Sequence, residues 1–238
     1  MSEKILVNEI FPAIQGEGMS IGKPVLFVRF YGCNLKCEWC DSSYAIEGGE
    51  HKDYTLDELM KNIRDNCMGL NRIVFTGGEP MIYLNKYDII NRLPKDTLFF
   101  NIEIETNGLL LDAGKITDWY EQKFPIQYNI SPKFFKGWQE KYLTKPMYAI
   151  FATVERFSQL KFVMENKTEQ LRKDCIANIK EFIDYHMVDK QNVYIMTEGV
   201  TREEQLANMA TDIDFCLKEG YNYTPRMHIL AFDKKRKC

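Results

Sequence analysis

Cys33, Cys37 and Cys40 fall within one short stretch, Y-G-C-N-L-K-C-E-W-C-D-S-S-Y from Tyr31 to Tyr44. Thiolates this close in sequence suit metal binding. Structural zinc sites and ordinary iron–sulfur clusters are closed by four protein ligands, and no cysteine or histidine lies near enough in sequence to be an obvious fourth. On a four-iron cluster the shortfall leaves one iron open to a ligand that is not protein. The other reading is a zinc site completed by Cys67 or a histidine, since C-x2-C is common there as well. Spacing alone leaves both open.

The other chemistry-bearing stretches share one kind of placement. Gly77-Gly78-Glu79-Pro80, Thr106-Asn107-Gly108, Ser131-Pro132-Lys133 and Glu198-Gly199 each follow a short run rich in β-branched or aromatic residues, as Gly32-Cys33 follows Val25 to Tyr31. Those runs are Arg72 to Thr76, Leu98 to Glu105, Ile126 to Ile130 and Val193 to Thr197. Leu160 to Met164 and Met227 to Phe232 read as further strands. Helical patterns lie between them. Thr55 with Glu58 forms a capping box ahead of Leu56, Leu59, Met60 and Ile63, and Thr201 with Glu204 forms another ahead of Leu206, Met209, Ala210 and Ile213. Leu171, Cys175, Ile176, Ile179 and Phe182 keep helical spacing after Thr168. Alternating strand and helix predicts a parallel α/β sheet. In such sheets ligands bind where loops converge at the strands' C-terminal ends, so the motifs predict one shared site.

Strands of parallel sheets are usually apolar on both faces, but two here alternate. Asn101, Glu103 and Glu105 oppose Ile102 and Ile104, and Gln127, Asn129 and Ser131 oppose Tyr128 and Ile130. Arg29 shares a face with Val25, Phe27 and Tyr31. A polar sheet face fits a partial (open) α/β barrel of parallel strands, with helices outside and a cavity for a polar ligand inside. Residues 1–238 are expected to form a single domain.

The C-x3-C-x2-C triplet in its G-C-N-L setting, followed by T-G-G-E-P after the next strand, resembles the radical S-adenosylmethionine (SAM) superfamily. The resemblance implies a [4Fe-4S] cluster on Cys33, Cys37 and Cys40, with SAM chelating the free iron. Gly77 and Gly78 permit close backbone approach, and backbone carbonyls with the Glu79 carboxylate would receive the cofactor's ammonium group. A narrower resemblance covers most of the chain. F-P-A-I-Q-G-E-G from Phe11, F-V-R-F-Y-G-C-N-L, W-C-D-S, T-G-G-E-P, E-T-N-G and N-I-S-P-K together are similar to the 7-carboxy-7-deazaguanine synthase family. That family contracts the ring of 6-carboxy-5,6,7,8-tetrahydropterin, with loss of ammonia, on the route to queuosine and related 7-deazapurines.

By position, the resemblance implies that Ile14, Gln15, Gly16, Glu17, Arg29, Thr76 and His228 touch the pterin. It likewise implies that Trp39, Asp41, Gly78, Glu79, Ser131, Pro132 and Lys133 touch SAM. Ser42 stands where the family commonly has a Thr that ligates Mg²⁺, keeping the hydroxyl and losing the methyl. The radical chemistry would belong to the cofactor, with no side chain as a radical, and a flavodoxin-type donor would serve as external reductant. Arg29 suits a substrate carboxylate, because its planar fork binds both oxygens. An internal ion pair with Glu103 or Glu105 is the alternative.

Composition narrows the remaining classes. The chain has 238 residues, 45% hydrophobic and 27% charged, with a formal net charge of -3. That is the profile of a soluble globular protein with a small-molecule substrate and no nucleic-acid partner; Lys234 to Lys237 read as a solvated basic terminus. No apolar run is long enough for a bilayer span and Met-Ser-Glu-Lys begins no signal peptide, so no membrane partner and a cytoplasmic location are expected. Seven cysteines, three of them clustered, fit reduced thiols and metal binding. Cys67, Cys175 and Cys216, with Met60, Met196 and Met209, are expected in the core. His51 and His186 are expected at the surface. Phe134 to Phe157, rich in aromatics, read as a lid, a homodimer contact or a cover over an open barrel edge.

Three alternatives share part of this pattern. A glycyl-radical activase would have the cysteine and glycine motifs without Q-G-E-G or Arg29. An electron carrier or zinc module would need neither T-G-G-E-P nor a polar strand face. A nucleic-acid modifying enzyme would show a broader basic surface.

Overall fold

An antiparallel arrangement that the strand–helix alternation does not predict opens the chain. β1 (Ile5–Ile14) runs antiparallel to β2 (Pro24–Phe30) and, over Ile5 to Val7, to β3 (Lys52–Tyr54). Pro12 masks β1 in the sequence, since proline cannot donate to a ladder. It is tolerated here because it pairs with Leu26 of β2 while β3 has already ended.

The computed structural model describes residues 4–37, 40, 42–93, 101–121, 126–154 and 158–235. They form two compact units, the described residues of 4–14 with those of 23–128, and 15–22 with the described residues of 129–235. In the first unit the strand order is β3-β1-β2-β4-β5, with β4 at Arg72–Gly77 and β5 at Asn101–Thr106. β2, β4 and β5 are parallel, Phe30 lying opposite Gly77 and Phe75 opposite Ile104. The first residues expected in β5, 98–100, lie outside the described residues. α1 (Leu56–Asn66) carries the expected Thr55–Glu58 capping box and buries Leu59, Met60 and Ile63. α2 (Met81–Leu84) and α3 (Ala113–Glu121) follow. Leu26, Val28, Phe30, Ile73, Phe75 and Ile104 are fully buried, each side chain contributing roughly 2 kcal/mol by removal from water.

β6 (Ile126–Ile130) begins in the first unit and ends in the second. In the second unit β7 (Ser158–Met164), β8 (Val193–Thr197) and β9 (Asn222–Tyr223) are parallel neighbours. Helices α4 (Trp138–Tyr142), α5 (Lys145–Val154), α6 (Glu169–His186) and α7 (Arg202–Glu219) belong to this unit. Thr168 caps α6, and Thr201 with Glu204 forms the expected box on α7. The aromatic segment after Phe134 contributes to the core: Phe134 stacks on Phe162 of β7, and Trp138, Tyr142 and Phe151 pack around Phe182 of α6. Residues 155–157 of that segment lie outside the described residues.

Several expectations need correction. Met227–Phe232 is a short helix, α8. Its five apolar residues, with His228 among them, show no period-two alternation, and Met, Leu and Ala favour helix; the last strand among the described residues is instead the two-residue β9. On α7 the buried positions are Gln205, Asp212 and Cys216, while Leu206 is exposed, because a buried hydrogen-bonded network centred on Asp212 takes the inward face. His186 is buried among aromatic rings. Cys67 is only half-buried at the end of α1 and Met209 is half-buried, whereas Cys175, Cys216, Met60 and Met196 are core residues. Among the described residues no helix is long and apolar enough to cross a membrane.

Candidate functional site

In the first unit the loops after β2, β4 and β5 are bonded to one another. The Gly78 amide donates to the Phe30 carbonyl at 3.1 Å and the Glu79 amide to the Gly32 carbonyl at 2.9 Å. A Cβ at Gly78 would sit 1.9 Å from the Gly32 carbonyl oxygen, and Gly77 has φ 125 with a Cβ position 2.2 Å from the Phe30 oxygen. Only glycine permits this approach. The fully buried Glu79 carboxylate accepts from Thr106 Oγ1 at 2.7 Å, the Asn107 amide at 2.8 Å and the Met81 amide at 3.1 Å. Asn107 Nδ2 in turn donates to Asn34 Oδ1 at 2.8 Å. Glu79 therefore binds the G-G-E-P loop to the T-N-G loop, and Asn34 ties both to the cysteine loop.

Cys33, Cys37 and Cys40 are in no disulfide and half-buried on that cysteine loop, which the Gly32 amide closes onto the Ala45 carbonyl at 2.8 Å. Burial pushes the Cys33 thiol up to about 11; the Leu35 amide opposes this and the Glu79 carboxylate reinforces it. Ligation reverses that balance, because a bound cation removes the thiol proton outright. Among the described residues no three Cys, His, Asp or Glu side chains are grouped to hold a single ion. The three thiols share one short loop in sequence but are not so grouped in the structure. Trp39 and Asp41 lie outside the described residues.

Arg29 projects from β2 beside this loop. Its Nε donates to Glu9 Oε2 of β1 at 3.3 Å, and its Nη1 donates to Ser42 Oγ at 3.3 Å. The anion is therefore neither Glu103 nor Glu105, the two alternatives that the sequence offers. Glu103, fully buried, lies 3.6 Å from Arg72 Nη1, and Glu105 accepts from Thr76 Oγ1 at 2.7 Å. Ile14, the last residue of β1, is exposed.

The second unit contains the Q-G-E-G loop. Gln15 is buried, and its Oε1 accepts from the Glu17 amide at 3.3 Å. The Gly16 carbonyl accepts from the Met227 amide at 2.9 Å, and a Cβ at Gly16 would fall 2.3 Å from His228 Nδ1. The loop and the start of α8 are thus packed together. The Gly18 amide donates to Thr224 Oγ1 at 2.7 Å and the Met19 amide to Gln159 Oε1 at 2.8 Å. Glu17 accepts from Lys161 Nζ and, at 3.1 Å, from Arg226 Nε. Burial alone would raise the Glu17 carboxyl, but Lys161, Arg226 and His228 outweigh it and hold the group well below the usual carboxylate range. After β6, Lys133 Nζ donates to Ser131 Oγ at 2.7 Å, and the Lys133 amide to the Tyr142 hydroxyl at 3.3 Å.

Sequence reasoning misses Glu9, Asn34, Gln159, Lys161 and Arg226. Gln159 and Lys161 carry a signal of their own, since they alternate with Leu160 and Phe162 in a strand of a parallel sheet, where apolar runs are the rule. Glu9 and Arg226 carry none, because each meets its partner across a large sequence separation.

Comparison with known proteins agrees with these loops. The model of the radical SAM superfamily matches residues 27–210. The 7-carboxy-7-deazaguanine synthase of Aquifex aeolicus is 33% identical over 97% of this chain and 94% of its own length. The protein of that name from Halobacterium salinarum is 28% identical over 95% of this chain and 90% of its own. The crystal structure of QueE from Escherichia coli superposes with a TM-score of 0.68 at 20% identity, covering 94% of this chain and 95% of that one. This likeness shows the mostly parallel α/β fold expected for a partial barrel. The chain therefore belongs to the radical SAM superfamily and, within it, to the 7-carboxy-7-deazaguanine synthase family.

Proposed function

We propose that this chain is a radical SAM lyase that converts 6-carboxy-5,6,7,8-tetrahydropterin to 7-carboxy-7-deazaguanine with loss of ammonia. One observation carries the reading: the cysteine, G-G-E-P and T-N-G loops are hydrogen-bonded into one assembly, in a chain related to enzymes of that name over nearly its full length. The family implies a [4Fe-4S] cluster and SAM. Three half-buried thiols outside any disulfide fit a cluster with one open iron in both kind and number. When bound, these groups supply a 5′-deoxyadenosyl radical for hydrogen abstraction from the pterin.

The protein's own part is binding and orientation. Cys33, Cys37 and Cys40 hold the cluster. Gly78, Glu79, Ser131, Pro132 and Lys133, with Trp39 and Asp41, hold SAM. Ile14, Gln15, Gly16, Glu17, Thr76 and His228 bind the pterin, and Arg29 takes its carboxylate with the Nη edge that Glu9 leaves to it. Ser42 contributes to a Mg²⁺ site completed by substrate oxygens and water, where the ion acts as a Lewis acid. A single catalytic domain over 1–238, an external flavodoxin-type reductant, a homodimer and a cytoplasmic location belong to the same reading.

The test is anaerobic incubation of the reconstituted protein with the tetrahydropterin, SAM and a reductant, followed by chromatography for 7-carboxy-7-deazaguanine. Replacing Cys33, Cys37 or Cys40 by Ala should abolish cluster absorbance and product together, while Cys67→Ala keeps both. Colourless protein with tightly bound zinc would overturn the reading.

A further inference from the structure

Glu17 is held by two cations that no sequence motif identifies. Lys161 reaches it from β7 and Arg226 from the residue preceding α8, with the three side chains only 7%, 12% and 7% exposed for Lys161, Glu17 and Arg226. Arg226 does more than neutralise a charge. Its Nη1 donates to the Gly199 carbonyl at 2.8 Å, so one guanidinium joins the Q-G-E-G loop to the loop after β8. The residue after it, Met227, donates its amide to Gly16, and the next, His228, fills the space that a Gly16 side chain would need. Glu17, Gly16, Arg226 and His228 are therefore one mechanical piece, with Lys161 fixing its far side to the sheet.

We propose that Lys161 and Arg226 are positioning residues, which clasp the Glu17 carboxylate and so hold the Gln15–Gly16–Glu17 backbone and the His228 imidazole in register for the pterin. The proposal rests on the function given above. Stability does not account for the trio, because buried ion pairs are commonly matched by well-packed apolar residues of similar volume. Preorganisation does: a ligand that meets a loop already fixed loses less affinity to ordering it. The clasp also keeps Glu17 charged, since the cations and His228 oppose the effect of burial on its carboxyl. Without them a buried carboxylate would take up a proton at higher pH.

The experiment uses anaerobically reconstituted holoenzyme and two readouts, equilibrium binding of fluorescent 6-carboxypterin and steady-state turnover of the tetrahydropterin. Arg226→Gln and Lys161→Gln should each weaken 6-carboxypterin binding and raise KM by about tenfold, with kcat changed far less. Cluster absorbance and SAM binding should be unaltered. Arg226→Lys should recover part of the loss. The wild-type to variant affinity ratio, in which the ligand's own titration cancels, should widen from pH 8 to pH 5 as Glu17 protonates in the variant. If the glutamine variants do not retain the cluster, Glu17→Asp, which keeps the charge and shortens the reach, should reproduce the KM effect. Unchanged pterin affinity in the variants that retain the cluster, or a parallel loss of thermal stability, cluster and affinity that extends to Glu17→Asp, overturns the clasp while leaving the enzyme assignment standing. A wild-type protein that neither binds nor turns over the pterin overturns both.

Discussion

Arg29 of β2 and Glu9 of β1 form a buried ion pair, Nε to Oε2 at 3.3 Å, across the antiparallel ladder that opens the chain. Glu9 is 3% exposed and Arg29 is 15% exposed at the side chain. Glu9 holds one edge of the guanidinium, while Nη1 reaches Ser42 Oγ on the cysteine loop. Arg29→Lys should keep fold and cluster but lower kcat/KM by about tenfold or more, because a point charge replaces a fork. Glu9→Gln should do the same through the lost anchor. Normal kcat/KM with reduced thermal stability in both variants would make the pair a fold element.

The Ser42 hydroxyl accepts from Arg29, and a hydroxyl oxygen is also the kind of donor that Mg²⁺ takes. Magnesium stimulation should be weaker in Ser42→Ala, with cluster absorbance unchanged, and restored in Ser42→Thr. Titrating Mg²⁺ in the turnover assay reads this directly. An identical magnesium response in Ser42→Ala would reduce the residue to the turn it caps.

Glu79 accepts three hydrogen bonds within a fully buried pocket. In Glu79→Gln an NH₂ replaces one acceptor and faces a donor, a mismatch that costs roughly 1–3 kcal/mol. The G-G-E-P and T-N-G loops should separate locally. A lower Tm and weaker SAM binding are expected together, by thermal denaturation and equilibrium binding. A variant with wild-type Tm would show that the carboxylate is not what joins the loops.

His186, at the end of α6, lies against the rings of Phe151, Phe182 and Tyr185, and neither ring nitrogen makes a hydrogen bond of ordinary geometry. Burial pulls its pKa down to about 4 from 6.5, with the nearby Tyr142 backbone offsetting only part. Between those values the unfolded chain binds a proton that the folded one does not, so stability is full above pH 6.5 and falls as pH drops toward 4. The loss at pH 5 is roughly 2 kcal/mol. His186→Phe should remove this dependence, so that urea unfolding shows a larger gain at pH 5 than at pH 8. Equal gains at both pH values would mean that the imidazole does not titrate on unfolding.

Patterns among residues adjacent in sequence were legible in the sequence alone. The three cysteines, the G-G-E-P turn, the capping boxes of α1 and α7 and the parallel strands β2, β4 and β8 are local patterns, and local backbone preference decides them. So was the placement of the motifs at strand ends, which follows from the order of elements alone. What the sequence could not settle is which charge meets which. Glu9 reaches Arg29 through a strand that Pro12 disguised, and Arg226 reaches Glu17 across 209 residues. α8 is a short, mostly apolar run whose length suits strand as well as helix, and His186 is buried where Phe151 and Phe182 converge on it. A buried charge must find a partner wherever the fold brings one within reach, and that reach is a property of tertiary structure.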